Sequence, residues 1–106
     1  MSQCSVLLAE LREQTLHLEA IIASKNIEPA LELIERRLLL LEQLYSLARK
    51  NEQARLQIKA VAHELLPREQ VMVVQLQEAK SAVAELLTQA LSSNKAQQLY
   101  QRFSQE

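Results

Sequence analysis

The sequence predicts an all-α protein, an antiparallel helical bundle of three long helices followed by a short C-terminal helix. Two observations predict this fold class. The 106 residues contain no glycine, and Leu, Ala, Gln, Glu, Lys and Arg, which dominate the chain, are strong helix formers. Apolar residues also recur at alternating steps of four and three, the spacing of helices packed along a left-handed seam. The length suits one domain, so residues 1–106 are treated as a single helical domain.

The first helix is predicted over residues 2–23. The four-three spacing runs through Cys4, Leu8, Leu11, Thr15, Leu18 and Ile22. Cys4 is the only cysteine and cannot form an internal disulfide, so we interpret it as a small core residue. The polar residues 24–26 end the helix. A turn this short between two long helices predicts that they pack antiparallel.

The second helix is predicted over residues 27–50, with Asn26 as its N-cap and Pro29 in its first turn. It carries two apolar rows, Ile27, Leu31, Ile34, Leu38, Leu41, Tyr45 and Ala48 in the first and Leu33, Leu40 and Leu47 in the second, with Leu44 between them. Together they span an arc of about 160°, whereas one partner helix needs little more than 100°. The surplus predicts at least two neighbouring helices, or one neighbour and a vacant site for another protein's apolar segment.

The third helix is predicted over residues 52–91, kinked near Pro67. The apolar spacing before the proline continues after it with Glu69 as the one polar exception, which favours a kink in one helix over two independent helices. The apolar positions are Ile58, Ala62 and Leu65 before the proline and Met72, Leu76, Ala79, Val83, Leu86 and Ala90 after it. The alternative is a true break, with Pro67 opening a new helix. Leu66 would be a poor N-cap for that helix.

A short amphipathic helix is predicted over residues 94–104. Its apolar face consists of Ala96, Leu99, Tyr100 and Phe103. Two of the three aromatic residues lie in this segment, so we expect it to dock, either as a fixed fourth helix or reversibly.

Composition excludes several classes of function. Twelve basic and thirteen acidic side chains give a net charge of −1. The sequence therefore lacks the basic stripe that would predict nucleic-acid binding. Phosphate-binding loops need glycine, and His17 and His63 have no nearby second metal ligand, so we expect surface histidines and neither metal nor cofactor. No apolar run is long enough for membrane insertion and no secretion signal is seen. Together with the lone cysteine, this predicts a cytoplasmic protein.

One enzymatic alternative comes from the arginines. Arg12, Arg37 and Arg68, with Lys50, lie in the segments LAELREQ, LIERRL and LPREQV and at the end of the second helix. They resemble in order and setting the dicarboxylate-binding cations of the all-helical chorismate mutases. Guanidinium clamps suit a dicarboxylate substrate. The spacings here are longer than in that family, so we favour a protein without enzymatic activity.

A second resemblance spans nearly the whole chain. NIEPALELIERRLLLLEQL, LPREQVMVVQLQEAKSAVAELLTQAL and SSNKAQQLYQRF resemble, in this order, segments of the FliT-type flagellar export chaperones. The resemblance implies a cytoplasmic chaperone that binds the helical C-terminal segment of the filament-cap protein, keeps it monomeric and delivers it to the export gate or its ATPase complex. It further implies that the terminal helix, with Leu99, Tyr100 and Phe103, docks at the gate through Tyr100 and can fold back over the binding surface.

The surplus apolar surface suggests where a partner would bind. The predicted partner-binding residues are Leu38, Leu41, Leu44, Tyr45, Val73 and Val74. The same side chains are equally compatible with a plain core. A third alternative to chaperone and mutase is a structural coiled coil that forms a homodimer.

Overall fold

The computed structural model describes residues 2–91, and these residues form a bundle of four α-helices. The helices are α1 (Gln3–Ser24), α2 (Ala30–Lys50), α3 (Glu52–Ala79) and α4 (Ala82–Leu91). No β-strand occurs within this range, so the predicted all-α class is confirmed. The predicted helix over 94–104, with Leu99, Tyr100 and Phe103, lies outside the described residues.

Helix α1 closely follows its predicted pattern. Its buried residues are Cys4, Leu8, Leu11, Thr15, Leu18 and Ile22, the six positions that the four-three spacing indicates. The hydroxyl of Ser2 caps the start by accepting the backbone N–H of Ser5. Lys25 ends the helix in the left-handed conformation, with φ 67°, and the chain then reverses.

Helix α2 begins three residues later than predicted. Asn26 is not its N-cap, because the backbone N–H of Asn26 bonds to the Ser24 hydroxyl and the chain continues as a turn. Pro29 occupies the capping position without a side-chain hydrogen bond. The delay has a physical reason, since a residue that precedes a proline avoids the helical region of backbone conformation. The helix end, Lys50, agrees with the prediction.

Helix α3 continues through Pro67, so the alternative of a break at that proline is wrong. Pro67 is exposed, on the side of α3 opposite the core. Its missing N–H removes one bond from a helix of 28 residues. The packing of the rest of the helix therefore decides its continuity.

The predicted single helix over 52–91 is wrong at Lys80. Lys80 takes the left-handed conformation, with φ 51°, and the hydroxyl of Ser81 accepts the backbone N–H of Ala84 at 3.1 Å to start α4. This turn shifts the apolar phase. The buried residues of α4 are Ala84, Leu87 and Leu91, each one position after the predicted Val83, Leu86 and Ala90. The physical reason is that the serine cap and the reversal let α4 fold back onto α2 and α3.

The core consists of two apolar clusters at opposite ends of the bundle. The three-helix cluster involves α1, α2 and α3 and comprises Cys4, Leu8, Leu11, Leu40, Leu41, Leu44, Ala48, Ala54, Ile58, Val61, Ala62 and Leu65. The four-helix cluster also includes α4 and comprises Leu18, Ile22, Ala30, Leu33, Ile34, Met72, Leu76, Ala84, Leu87 and Leu91. The bundle therefore has four helices at one end and three at the other, within the described residues.

A polar layer separates the two clusters. Thr15 of α1, Arg37 of α2 and Glu69 of α3 are all buried, and each lies between a residue of one cluster and a residue of the other along its helix. Arg37 and Glu69 form an ion pair at 2.6 Å. The hydroxyl of Thr15 donates to the carbonyl of Leu11 at 2.8 Å. The polar exception in the apolar spacing of α3 is thus one half of a buried ion pair.

Candidate partner-binding groove

Helix α4 covers only part of the groove between α2 and α3. It packs against both helices and runs in the direction of α2, because α2, α3 and α4 are joined by short reversals. At 1.5 Å per residue, α4 is about 15 Å long and α2 is about 31 Å long. The described residues therefore leave roughly half of this groove without a fourth helix.

The uncovered half has an apolar floor, which we term the open groove. Its floor residues are Leu38 and Tyr45 of α2 and Leu66 of α3, all partly buried against the three-helix cluster. Leu66 lies about 160° around α3 from Arg68, and Arg68 faces α1 through an ion pair with Glu19. Leu66 therefore lies on the side of α3 away from α1. Because α2 runs antiparallel to α3, Leu38 and Tyr45 on the outer side of α2 lie beside Leu66 across the groove.

The open groove accounts for the surplus apolar surface that the sequence indicates on α2. Leu38 and Tyr45 of the first row are seven residues apart and remain partly exposed. Leu33 and Leu40 of the second row are buried. The core-facing side of α2 lies between the two rows. Leu38 and Tyr45, at the outer edge of the first row, therefore have no helix of the described residues covering them.

The predicted partner-binding residues divide into three groups. Leu41 and Leu44 are fully buried in the three-helix cluster, so in this conformation they support the groove from below and cannot contact a partner. Leu38 and Tyr45 form its floor. Val73 is partly buried against the four-helix cluster, and Val74 is 52% exposed on the outer face of α3, away from the groove.

The sequence pattern did not single out Leu66, yet it completes the floor. Leu66 precedes Val73 by seven residues, the same interval that separates Leu38 from Tyr45. This repeat was available in the sequence.

The arginines of the enzymatic alternative are engaged with glutamates. Arg12 donates to Glu64 at 2.9 Å, Arg37 pairs with Glu69, and Arg68 donates to Glu19. Each pair joins two different helices. Lys50 is exposed at the end of α2. The described residues thus bring each arginine to a carboxylate of the protein, and no clamp for a dicarboxylate forms among them.

The two ion pairs between α1 and α3, Arg12–Glu64 and Arg68–Glu19, shift the pKa values of three of their members. A hydrogen bond from Arg68 holds the pKa of Glu19 below its ordinary value, and Arg12 lowers the pKa of Glu64 in the same way. The hydrogen bond to Glu19 raises the pKa of Arg68. These shifts come from ion pairs on the surface between two helices and lie outside the open groove.

The described part also places the cysteine and the two histidines. Cys4 is buried, as predicted, and burial raises the pKa of its thiol, which suppresses the nucleophilic thiolate. His17 and His63 are exposed. Within residues 2–91, no group of three His, Cys, Asp or Glu residues is placed to hold a metal ion.

A cleft of about 720 Å³ lies at the end of the bundle where the chain reverses between α1 and α2 and between α3 and α4. Its wall contains Lys25, Asn26 and Glu28 beside Ile22 and Leu76. Among residues 2–91, no arginine lines this wall, so the described arginines of the enzymatic alternative lie elsewhere.

None of the helices in the described part is both long enough and apolar enough to cross a membrane. Comparisons of the chain with family models, with curated proteins and with solved structures gave no match.

Proposed function

We propose that this protein is a FliT-type flagellar export chaperone of the cytoplasm. It binds the helical C-terminal segment of the filament-cap protein, keeps that protein monomeric and delivers it to the export apparatus. The observation that carries the proposal is the open groove. Its floor residues Leu38, Tyr45 and Leu66 belong to the three-helix end of the bundle, whereas at the other end α4 packs as a fourth helix. The resemblance of the chain to this class of chaperones supplies the identity of the partner.

The groove suits a helical segment for a physical reason. A groove between two helices accepts an amphipathic helix whose apolar residues recur at three- and four-residue steps. Residues that are already half buried lose little conformational entropy on binding, because the bundle holds them in place. Tyr45 adds a large aromatic surface with Arg49 above its ring, 5.9 Å from the centroid. Tyr and Arg are the residue types that most often dominate binding energy.

The test is calorimetric binding of a filament-cap C-terminal peptide to the full-length protein and to two adjacent variants. Leu38→Ser removes part of the groove floor, whereas Leu39→Ser changes a leucine that is 61% exposed on the outer face of α2. We expect Leu38→Ser to weaken binding about tenfold, equivalent to about 1.4 kcal/mol. Leu39→Ser should change it less than twofold. Equal effects of the two variants, or no binding by the wild-type protein, would contradict the proposal.

The C-terminal segment supplies the proposed regulation. The described part of α4 reaches Leu91 and points along the open groove, and fifteen further residues of the sequence follow. About eleven helical residues would span the remaining 16 Å or so of α2. If Leu99 and Phe103 cover the groove at rest, the double variant Leu99→Ser/Phe103→Ser binds the peptide more tightly than the wild type. Unchanged affinity would contradict the proposed covering of the groove. Docking at the export gate would then be the proposed role of Tyr100 and its neighbours.

A further inference from the structure

The charges around the open groove are distributed unevenly. Residues 48–59, which form the end of α2, the turn and the start of α3, contain four basic side chains and one acidic side chain. The basic ones are Arg49, Lys50, Arg55 and Lys59. The acidic one, Glu52, is joined to Arg55 at 3.2 Å. The far end of the open groove is therefore cationic, although the whole protein has a net charge of −1.

Three of these cations frame the apolar floor. Arg55 and Lys59 are one helical turn apart on α3 and both are partly buried. Counting about 100° per residue places them on the side of α3 that carries Leu66. Arg49 lies over the ring of Tyr45 on the opposite wall. A helix in the open groove would pass between these basic side chains. The carboxylates on the adjoining segments are Glu42 of α2, which is partly buried, and Glu52, which pairs with Arg55.

The opposite end of α2 has the reverse character. Glu28, Glu32 and Glu35 surround its start and are exposed, and this is the half of the groove that α4 covers. Along α2, the exposed charge thus changes from mainly acidic at the end beside α4 to basic at the end beside the open groove. Charges that flank an apolar groove select partners of opposite sign and fix their direction.

We propose that the open groove selects a helix of another protein that carries carboxylates beside its apolar stripe. This inference rests on the proposed function and adds the chemistry of the partner. The protein's own C-terminal segment, residues 92–106, fits the charge less well, because Lys95 and Arg102 outnumber Glu106. An acidic partner helix would bring several carboxylates to Arg55 and Lys59, whereas the sequence of the segment offers one.

The test uses three synthetic 15-residue helical peptides with the same leucine stripe and with Glu, Gln or Lys at the flanking positions. Binding is measured to the full-length protein and to its Leu99→Ser/Phe103→Ser variant. At low salt we expect the Glu peptide to bind at least fivefold more tightly than the Gln peptide, and the Lys peptide to bind most weakly. The difference should shrink in about 0.5 M NaCl, where the Debye length falls below 5 Å or so.

Matched variants locate the effect. Arg55→Gln/Lys59→Gln should remove most of the preference for the Glu peptide and leave the affinity for the Gln peptide within twofold. The control Lys25→Gln/Arg36→Gln removes two exposed cations outside the open groove and should keep the preference. Circular dichroism of each variant verifies the fold.

The outcomes distinguish this inference from the function on which it rests. Equal affinity for the Glu and Gln peptides would overturn the charge selection and leave the groove as a binding site. Failure of all three peptides to bind either protein would overturn both.

Discussion

Arg37 is the largest side chain that the described part of the bundle buries completely. Taking a guanidinium and a carboxylate out of water costs several kcal/mol for each ion, and their mutual attraction repays this only when the geometry is good. Arg37 Nη1 and Glu69 Oε1 lie 2.6 Å apart, but Arg37 Nε and Glu69 Oε2 are buried without a hydrogen bond, so the geometry meets that condition only in part. The pair therefore makes each partner dependent on the other, while its net contribution to stability stays small.

Because each partner depends on the other, we expect the effects of substituting Arg37 and Glu69 on the free energy of unfolding to be non-additive. Arg37→Met leaves the Glu69 carboxylate in the core without its guanidinium and should lower the free energy of unfolding by about 3–5 kcal/mol. Arg37→Met/Glu69→Leu restores most or all of that loss, because two apolar side chains then fill the layer. Urea unfolding measures both values. If the double variant is as unstable as the single one, the pair is a net source of stability and our account of it is wrong.

At the residue scale, the sequence predicts α1 better than the polar layer. The spacing of α1 indicates every buried residue of that helix, Thr15 included. It places Glu69 on the apolar stripe of α3, and it places Arg37 between Leu33 and Leu40 of the second row of α2. Spacing within each helix does not show that these two residues lie opposite each other; only the packing of α2 against α3 brings them together. Leu41 and Leu44 show the same limit, since apolarity alone does not separate a core leucine from a partner-facing one.

At the scale of helices, local signals decided the boundaries. The predicted helix over 52–91 preserved the apolar phase across Pro67, and the structure confirms that the helix is continuous there. The reversal at Lys80 and Ser81 was missed because neither glycine nor proline marks it, and a lysine in the left-handed conformation is uncommon. Pro67 is the stronger breaker by composition, yet the tertiary contacts of α3 outweigh the bond that it removes.

The cap of α4 gives a prediction at this scale. Ser81→Ala removes the hydroxyl that accepts the backbone N–H of Ala84 and should lower the free energy of unfolding by about 1 kcal/mol. Ser46→Ala is the matched control, because Ser46 is exposed within α2 and alanine is a better helix former there. We expect thermal unfolding to show a lower midpoint for Ser81→Ala and an equal or higher midpoint for Ser46→Ala. Equal midpoints for both would show that α4 does not depend on this cap.

At the scale of the whole molecule, two ion pairs join α1 to α3 along one side of the bundle. The pairs are Arg12–Glu64 and Arg68–Glu19. Their members are about two helical turns apart on α1 and about one turn apart on α3, and the two helices run in the same direction. Their members are partly to substantially exposed, so each pair contributes little at neutral pH. Their contribution appears more clearly as a dependence of stability on pH.

The sign follows from the lowered pKa values of Glu19 and Glu64. A carboxylate whose pKa is lower in the folded than in the unfolded protein stabilises the fold above its unfolded pKa, about 4.3, and loses that contribution as the pH falls through the folded value. We therefore expect the thermal midpoint to fall between about pH 5 and pH 3, and to fall less in Glu19→Gln/Glu64→Gln. The exposed Glu13 supplies a control, since Glu13→Gln should keep the wild-type slope. Identical slopes for all three proteins would rule out a role of these pairs in acid unfolding.

The buried ion pair also restricts how the helices can assemble. Leucine-rich helices with a seven-residue repeat could slide past one another by one repeat and still match apolar side chains. Sliding α2 by seven residues along α3 would place Arg37 near Ala62 or Leu76, both buried and apolar, and would leave two charges stranded in the interior at a cost of several kcal/mol. Misaligned assemblies are penalised accordingly, and the chain reaches one alignment of α2 on α3 with its groove intact.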